Sequence, residues 1–214
     1  MGDSPESQIQ YDAYTPSDAE VMAKLLAEVF SRYDPPAVAT GLTAPEFEAF
    51  VRLLYPRVAA DGVTIVARLG DSGEMVGALL ATDSASTLPD GMERLTVKFD
   101  PIFSFLRQLE SEYRGGKEVH PFESIHLILL GVSDRAARRG VAQQLVAACL
   151  EQGRRRGYRF AVTEATNQIS QHIFRKQGFI ERVKKSYKAY RFDGRRVFAS
   201  IAEHGGPILM DKAL

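Results

Sequence analysis

The spacing of apolar positions along this chain changes several times, and each change marks an element. Residues 8–14 alternate, which predicts a short strand. Thr15-Pro16-Ser17-Asp18 then places a capping hydroxyl before a proline at the first helical position. Val21, Leu25, Leu26, Val29 and Phe30 recur at helical spacing until Tyr33-Asp34-Pro35-Pro36 stops them. Thr43 and Glu46 form a capping box, opening a second helix whose stripe is Phe47, Phe50, Val51, Leu54, Tyr55 and Val58. Residues 63–69 and 75–82, joined by Gly70-Asp71-Ser72-Gly73, predict a β-hairpin.

Between Asp83 and Pro121 the strand pattern lapses. Asp100-Pro101 restarts a helix with Ile102, Phe105, Leu106, Leu109 and Tyr113 on one face. Residues 125–132 are the most apolar run of the chain, which predicts a central strand covered on both faces. A helix to about Arg156, a strand at 158–163, a helix from about Asn167 to Gln177 and a strand at 179–192 follow. Asp193-Gly194 marks a turn, and residues 208–212 close the sheet. The order predicts one mixed α/β domain over 1–214, with a helical insert at about 84–121. The early hairpin excludes a doubly wound nucleotide fold, whose strands are joined by helices.

Composition narrows the partners. Among 214 residues, 27 basic and 27 acidic side chains cancel, so no global field draws nucleic acid or an anionic membrane. Cys149 is the only cysteine, which rules out an internal disulfide and a thiolate metal cluster. It falls among Leu145, Val146 and Leu150, as buried filler would. Residues 1–10 are polar and acidic, without a signal-type apolar region, and no segment reaches the length of a membrane span. The expectation is a soluble cytoplasmic protein, monomer or homodimer.

One segment carries chemistry of its own. Arg138-Arg139-Gly140-Val141-Ala142 joins the apolar run at 125–132 to a long helix. A strand end, a glycine turn and a helix start leave backbone N–H groups pointing outward, and the helix dipole and flanking arginines complete a site suited to a pyrophosphate. The same residues also suit an ordinary strand-to-helix connection.

Taken together, the element order and this turn resemble the Gcn5-related N-acetyltransferase (GNAT) superfamily. Residues 129–214 are similar more narrowly to its arylalkylamine, dopamine-type branch. The match rests on Arg138-Arg139-Gly140-Val141-Ala142, Glu164-Ala165-Thr166-Asn167-Gln168-Ile169-Ser170 and Lys176-Gln177-Gly178-Phe179. Tyr187-Lys188-Ala189-Tyr190, Asp193-Gly194, and His204 ahead of Leu209-Met210-Asp211-Lys212 extend it. The resemblance implies a mostly antiparallel central sheet, flanked by helices and splayed between its fourth and fifth strands. It also implies acetyl-CoA or another acyl-CoA as co-substrate, no metal, and a small-molecule amine as acceptor, arylalkylamine-like or polyamine-like.

Residue by residue, the resemblance implies that backbone N–H groups of Arg138, Arg139, Gly140, Val141, Ala142 and Gln143 hold the pyrophosphate. Backbone N–H near Leu130 to Val132 would polarise the acyl carbonyl. Ala137 stands where the family usually has Gln or Arg, so one side-chain anchor is missing. Asn167 matches an Asn that bonds the pantetheine arm; as a helix N-cap it needs no ligand. Phe174 stands where the superfamily often has a Tyr acid, and it has no proton to donate. The branch's paired hydroxyls map onto Ser170 and Thr166, expected one turn apart on a helical face, with Ser170 as first choice for proton handling. A serine bonding backbone in the first turn is the competing use.

The branch's glutamate maps onto Asp34. A free Asp near ~3.9 and an amine near ~10.4 make direct proton transfer uphill by about 9 kcal/mol. Asp34 therefore needs a desolvated site, a water relay, or only the task of holding the ammonium. His204 matches a position lining the acceptor pocket. His126 reads as a satisfied core residue and His120 as a loop residue. Phe99, Phe103, Phe105 and Tyr113 of the insert are candidates for an apolar pocket wall or for plain core. The function expected is acetyl transfer to a small amine in a ternary complex. Transfer to a peptide or protein amine, use of a longer acyl-CoA, and acyl-CoA sensing without turnover are the alternatives.

Overall fold

A computed structural model describes residues 8–87 and 89–214; the polar segment 1–7 lies outside the described residues. The first alternating stretch forms β1 (Ile9–Ala13), which enters α1 (Ala19–Tyr33) through a 3-10 turn at Pro16–Asp18. Asp18 accepts from the Thr15 backbone N–H at 2.8 Å and from its hydroxyl at 3.0 Å, so the N-terminal cap is reciprocal. The tighter turn shifts the helical phase. Met22 and Ala23 face inward with Leu25 and Leu26, while Val21, expected in the stripe, is 52% exposed.

The expected stop at Tyr33-Asp34-Pro35-Pro36 is instead a corner into a further helix, α2 (Pro35–Thr40). Asp34 caps it by accepting the Ala37 N–H at 3.1 Å, and the two prolines fill positions whose N–H groups would have no helical partner. The second expected helix is two, α3 (Ala44–Leu53) and α4 (Tyr55–Asp61), parted at Leu54 because Pro56 offers no N–H to carry the ladder through. The Thr43–Glu46 box forms as expected. Lys98 also bonds Glu46, at 2.8 Å, and together with the Thr43 donors it holds the carboxyl down at about 2.

The hairpin forms as β2 (Ile65–Leu69) and β3 (Met75–Asp83), and the insert contributes α5 (Asp100–Arg114). Then come β4 (Ser124–Val132), α6 (Val141–Arg155), β5 (Phe160–Ala165), α7 (Gln168–Lys176), β6 (Ile180–Lys184) and β7 (Ile208–Ala213). They build one seven-stranded sheet in the order β1-β2-β3-β4-β5-β7-β6. All pairs are antiparallel except β4 and β5. One core, holding α1, α3 and α5, covers one face of the sheet; another, holding α6 and α7, covers the other. Cys149 lies in the second, its thiol donating to Val63 O and pushed up to about 12 by burial.

Two strands depart from expectation. β4 has helices on both faces, as expected, but its residues alternate between buried and half-buried along the strand. Leu80 pairs with Leu129 but Ala81 pairs with Leu127, leaving Ile128 as a bulge. One extra residue reverses the side-chain parity, so Ile125 and Leu127 join the α6 core while Leu129 joins the α1 core. The strand expected at 179–192 ends at Lys184. Residues beyond it fold back, with Tyr187 N–H bonded to Gly205 O, and stack Tyr190 on Phe105 at 4.0 Å and Phe198 on Tyr190 at 5.5 Å. The Asp193-Gly194 turn forms, with φ of 47° and 76°.

α1 reaches β4 closely because Gly131 has no side chain. A Cβ there would lie 2.8 Å from Leu26 Cδ2 and 3.5 Å from Val29 Cγ1. Gly131→Val therefore overpacks this contact, with an expected loss of about 1–3 kcal/mol. Thermal denaturation should show a Tm lower by several degrees. An unchanged Tm would mean that α1 can withdraw freely.

Candidate active site

β4 and β5 pair over only three rows, Ser124↔Phe160 to His126↔Val162, after which the strands part as expected. The Thr163 hydroxyl donates to Leu127 O at 2.9 Å at the point of separation. The opening widens into a cavity of about 780 Å³, within the usual range for small-molecule sites. Phe30, Phe47 and Phe50 of the N-terminal helices and Phe99 and Phe103 of the insert form an aromatic wall, with ring centroids 5.1–5.8 Å apart along the series. Phe105 and Tyr113, the other wall candidates, serve elsewhere. Phe105 lies in the cluster with Tyr190, and Tyr113 OH donates to Asp211 at 2.7 Å.

Asp34 and Thr166 meet at one edge of this cavity although they lie in opposite halves of the chain. Thr166 Oγ1 donates to Asp34 Oδ1 at 2.6 Å, while Oδ2 takes the Ala37 N–H. Thr166 is itself held by Tyr187, whose OH donates to the Thr166 carbonyl at 2.7 Å. Burial dominates the Asp34 environment and pushes its pKa up to about 6, against the lowering effects of Thr166, Ala37 and the field of His204. Of the three options open to Asp34 from the sequence, the desolvated site is the one its surroundings provide.

Thr166 and Ser170 do not share a helical face. Asn167 is the N-cap of α7, so Thr166 precedes the helix and turns to Asp34 instead. Asn167 Oδ1 accepts the Ser170 N–H at 2.8 Å, and Ser170 Oγ donates to Asn167 O at 2.9 Å. Both residues border the cavity while fulfilling the capping use. Below them, Gln171 is buried and donates to Ala165 O at 3.2 Å and Gly206 O at 3.0 Å, fixing the end of β5.

His126 faces the cavity from β4, and Glu164 from β5 places Oε2 2.6 Å from its Nε2. Burial works against a charge on the ring, but the Glu164 carboxylate outweighs it, and the His126 pKa is raised. Sequence reasoning missed this partnership because Glu164 is 38 residues away and carries no local signal. His204 lies outside the cavity lining, on a 3-10 turn ending in Gly205, and influences Asp34 through its charge alone.

The remaining expected residues lie along the open edge. Ser133 N–H bonds Val76 O at 2.8 Å, toward β3. Amide direction alternates along a strand, so the N–H groups of Leu130 and Val132 point the opposite way, to the unpaired edge. Arg138 and Gly140 have φ of 62° and 76° and form an exposed turn with Arg139. A Cβ at Gly140 would meet nothing within 4 Å. Val141, Ala142 and Gln143 open α6, whose first-turn N–H groups have no helical acceptor. Ser133 Oγ, at the entrance to this turn, is buried with no hydrogen-bond partner among the described residues. These unmet donors and the open space above the glycine suit a phosphate-bearing acyl carrier. Among the described residues, no group of three His, Cys, Asp or Glu side chains is placed to hold a metal, and no helix is long and apolar enough to cross a membrane.

Comparison with known proteins agrees with this geometry. The model of the acetyltransferase (GNAT) family matches residues 26–179. Among solved structures, the C-terminal condensation domain of Ebony in complex with β-alanyl-dopamine superposes with a TM-score of 0.87 at 13% identity, covering 97% of this chain and 99% of that one. Arylalkylamine N-acetyltransferase 2 from Aedes aegypti gives 0.80 at 21% identity, over 96% and 98%. The Drosophila melanogaster polyamine N-acetyltransferase, which forms N-acetylagmatine, gives 0.75 at 18% identity, over 97% and 100%. At these identities the likeness is one of fold.

The raised Asp34 pKa has a thermodynamic consequence. Its native value near 6 lies above the unfolded value of 3.8, so the native state binds more protons between these pH values. The stability this group contributes is present below pH 3.8 and is lost as pH rises through 6. Carboxyl-carbon NMR should find an Asp34 midpoint near 6, and Thr166→Val should raise it further by removing a donor that favours the charged form. A midpoint near 4 would mean that water reaches the carboxylate.

Proposed function

This chain belongs to the acetyltransferase (GNAT) family, and on that premise we propose that it transfers the acetyl group of acetyl-CoA directly to the amine of a small molecule. One observation carries the reading. A desolvated carboxylate, Asp34 bound by Thr166, borders the same cavity as the unpaired edge of β4.

Acetyl-CoA, when bound, supplies the activated thioester; this chain's residues hold it and manage protons around it. The N–H groups of residues 138–143 face the phosphates, helped by the positive end of the α6 dipole. Leu130 and Val132 direct N–H groups at the thioester carbonyl oxygen and stabilise the charge that develops there. Asn167 spends its side-chain oxygen on Ser170, which leaves its NH₂ group for the pantetheine arm.

Asp34 receives the acceptor's ammonium. With its pKa near 6, proton transfer from an amine near 10.4 is uphill by roughly 6 kcal/mol rather than the ~9 of an ordinary aspartate. Once Asp34 has passed the ammonium proton on to water, attack by the neutral amine forms the amide bond and breaks the C–S bond, and the second proton on nitrogen passes to the again ionised Asp34. Ser170 is the hydroxyl assigned to the departing thiolate, since Phe174 has no proton and packs against Phe179 at 5.0 Å. The arylalkylamine and polyamine acetyltransferases among the fold neighbours support a small primary amine as acceptor, and the aromatic wall supports an apolar body on it.

Gly140→Glu should place a carboxylate in the open space above the turn and weaken CoA binding at least tenfold by calorimetry. Full affinity in a folded variant would put the phosphates elsewhere. Because Asp34 works only when ionised, kcat/KM should fall below about pH 6, and this limb should vanish in Asp34→Asn along with most of the rate. Ser170→Ala should lower kcat by about a hundredfold while moving CoA affinity little. CoA release that no amine elicits would overturn the transfer reading.

A further inference from the structure

Arg57 of α4 borders the cavity, and the transfer chemistry gives it no task. Its Nη2 donates to Thr87 Oγ1 at 2.5 Å, and its Nε is buried without a partner among the described residues. Ser84, three residues before Thr87, borders the same cavity, and its hydroxyl is also buried without a partner. Asp61 and Asp83, the acids nearest to them in sequence, are engaged elsewhere. Asp83 accepts the Ala85 and Phe122 N–H groups at 2.8 and 2.7 Å, and Asp61 accepts Asp83 N–H at 2.9 Å and the Ser86 hydroxyl at 3.0 Å. Buried donors without acceptors are rare in folded proteins, and two bordering one cavity indicate a ligand atom that meets them.

Their place in the sheet sets the shape of that ligand. Ser84 N–H bonds Ser124 O at the start of β4, opposite Phe160 of β5, whereas Thr166, bonded to Asp34, follows the last residue of β5. Thr166 is six residues beyond Phe160, so the two ends are roughly 20 Å apart at the rise of a β-strand. A compact arylalkylamine with its nitrogen at Asp34 falls short of Arg57. The far group must also accept hydrogen bonds, since a guanidinium only donates and its Nε edge best fits in-plane oxygen lone pairs. A second ammonium, as on a polyamine, would meet like charge there.

Building on the acetyl-transfer reading, we propose that Arg57 and Ser84 form a recognition subsite for a carboxylate or amide oxygen on an extended amine acceptor whose nitrogen lies at Asp34. The test measures CoA release with acetyl-CoA and straight-chain ω-amino acids of increasing length, their amides, matched alkylamines and matched diamines. In the wild type, a long ω-amino acid or its amide should have a KM at least tenfold below the alkylamine and diamine of equal length. Preference for the acid identifies a carboxylate, and preference for the amide a carbonyl. Arg57→Met should abolish the preference and Ser84→Ala should narrow it; Arg57→Lys, which lacks the Nε edge, serves if the methionine variant does not fold. Equal KM values across the series, or a preference that survives both substitutions, would overturn the subsite. If no amine releases CoA, calorimetric binding of the same ω-amino acid to wild type and Arg57→Lys decides the point. Absence of Arg57-dependent binding then rejects it separately from the transfer reading.

Discussion

Two parallel strands that begin to pair and then stop create a problem that the rest of the fold answers. After His126↔Val162, β4 and β5 each present backbone groups to no neighbouring strand. In a buried sheet such groups need partners or a ligand. The bulge at Ile128 bends β4 at this point, Thr163 ties off the last row through its side chain, and Gln171 holds the end of β5. The opening is thus fixed from both sides, and what remains unpaired is the edge carrying the Leu130 and Val132 N–H groups.

Asp34 shows how the fold loads one residue with several duties. The same carboxylate caps α2 through Ala37 and takes the Thr166 hydroxyl, joining the N-terminal helices to the β5–α7 corner. It is buried beside Pro35 and Pro36, which are buried as well. Desolvation raises its proton affinity, and the two donors limit the rise. A group balanced in this way titrates near neutrality, where a proton carrier is useful.

The insert gives the cavity its character. Phe99 and Phe103 stack on each other and meet Phe47 and Phe50 at tilted angles, so apolar surface from two distant segments makes one wall. Polar groups collect at its ends: Asp34 with Thr166 at one, Arg57 and Ser84 at the other, with His126 and Glu164 between them on the sheet. Affinity from the wall and orientation from the ends is the usual division in small-molecule sites.

Local chemistry in the sequence determined much of this. The capping boxes at Thr15 and Thr43, the Gly turn at 140, the hairpin and the Asp193-Gly194 turn each depend on neighbours a few residues away, and each forms. The GNAT resemblance, which rests on contiguous motifs, indicated the splay and the residues around it. Where neighbours in sequence were not the deciding ones, the reading fell short. The bulge at Ile128 reversed the side-chain parity of β4 partway along, which its uniformly apolar run did not signal. Asn167 took the cap and left Thr166 to Asp34, 132 residues away. Phe105 and Phe99 carry similar spacing signals and both are buried in the same core, yet only Phe99 also borders the cavity. Periodicity reports that a side chain is withdrawn from water, but which surface withdraws it, and whether a void lies beside it, is settled only when distant segments pack together.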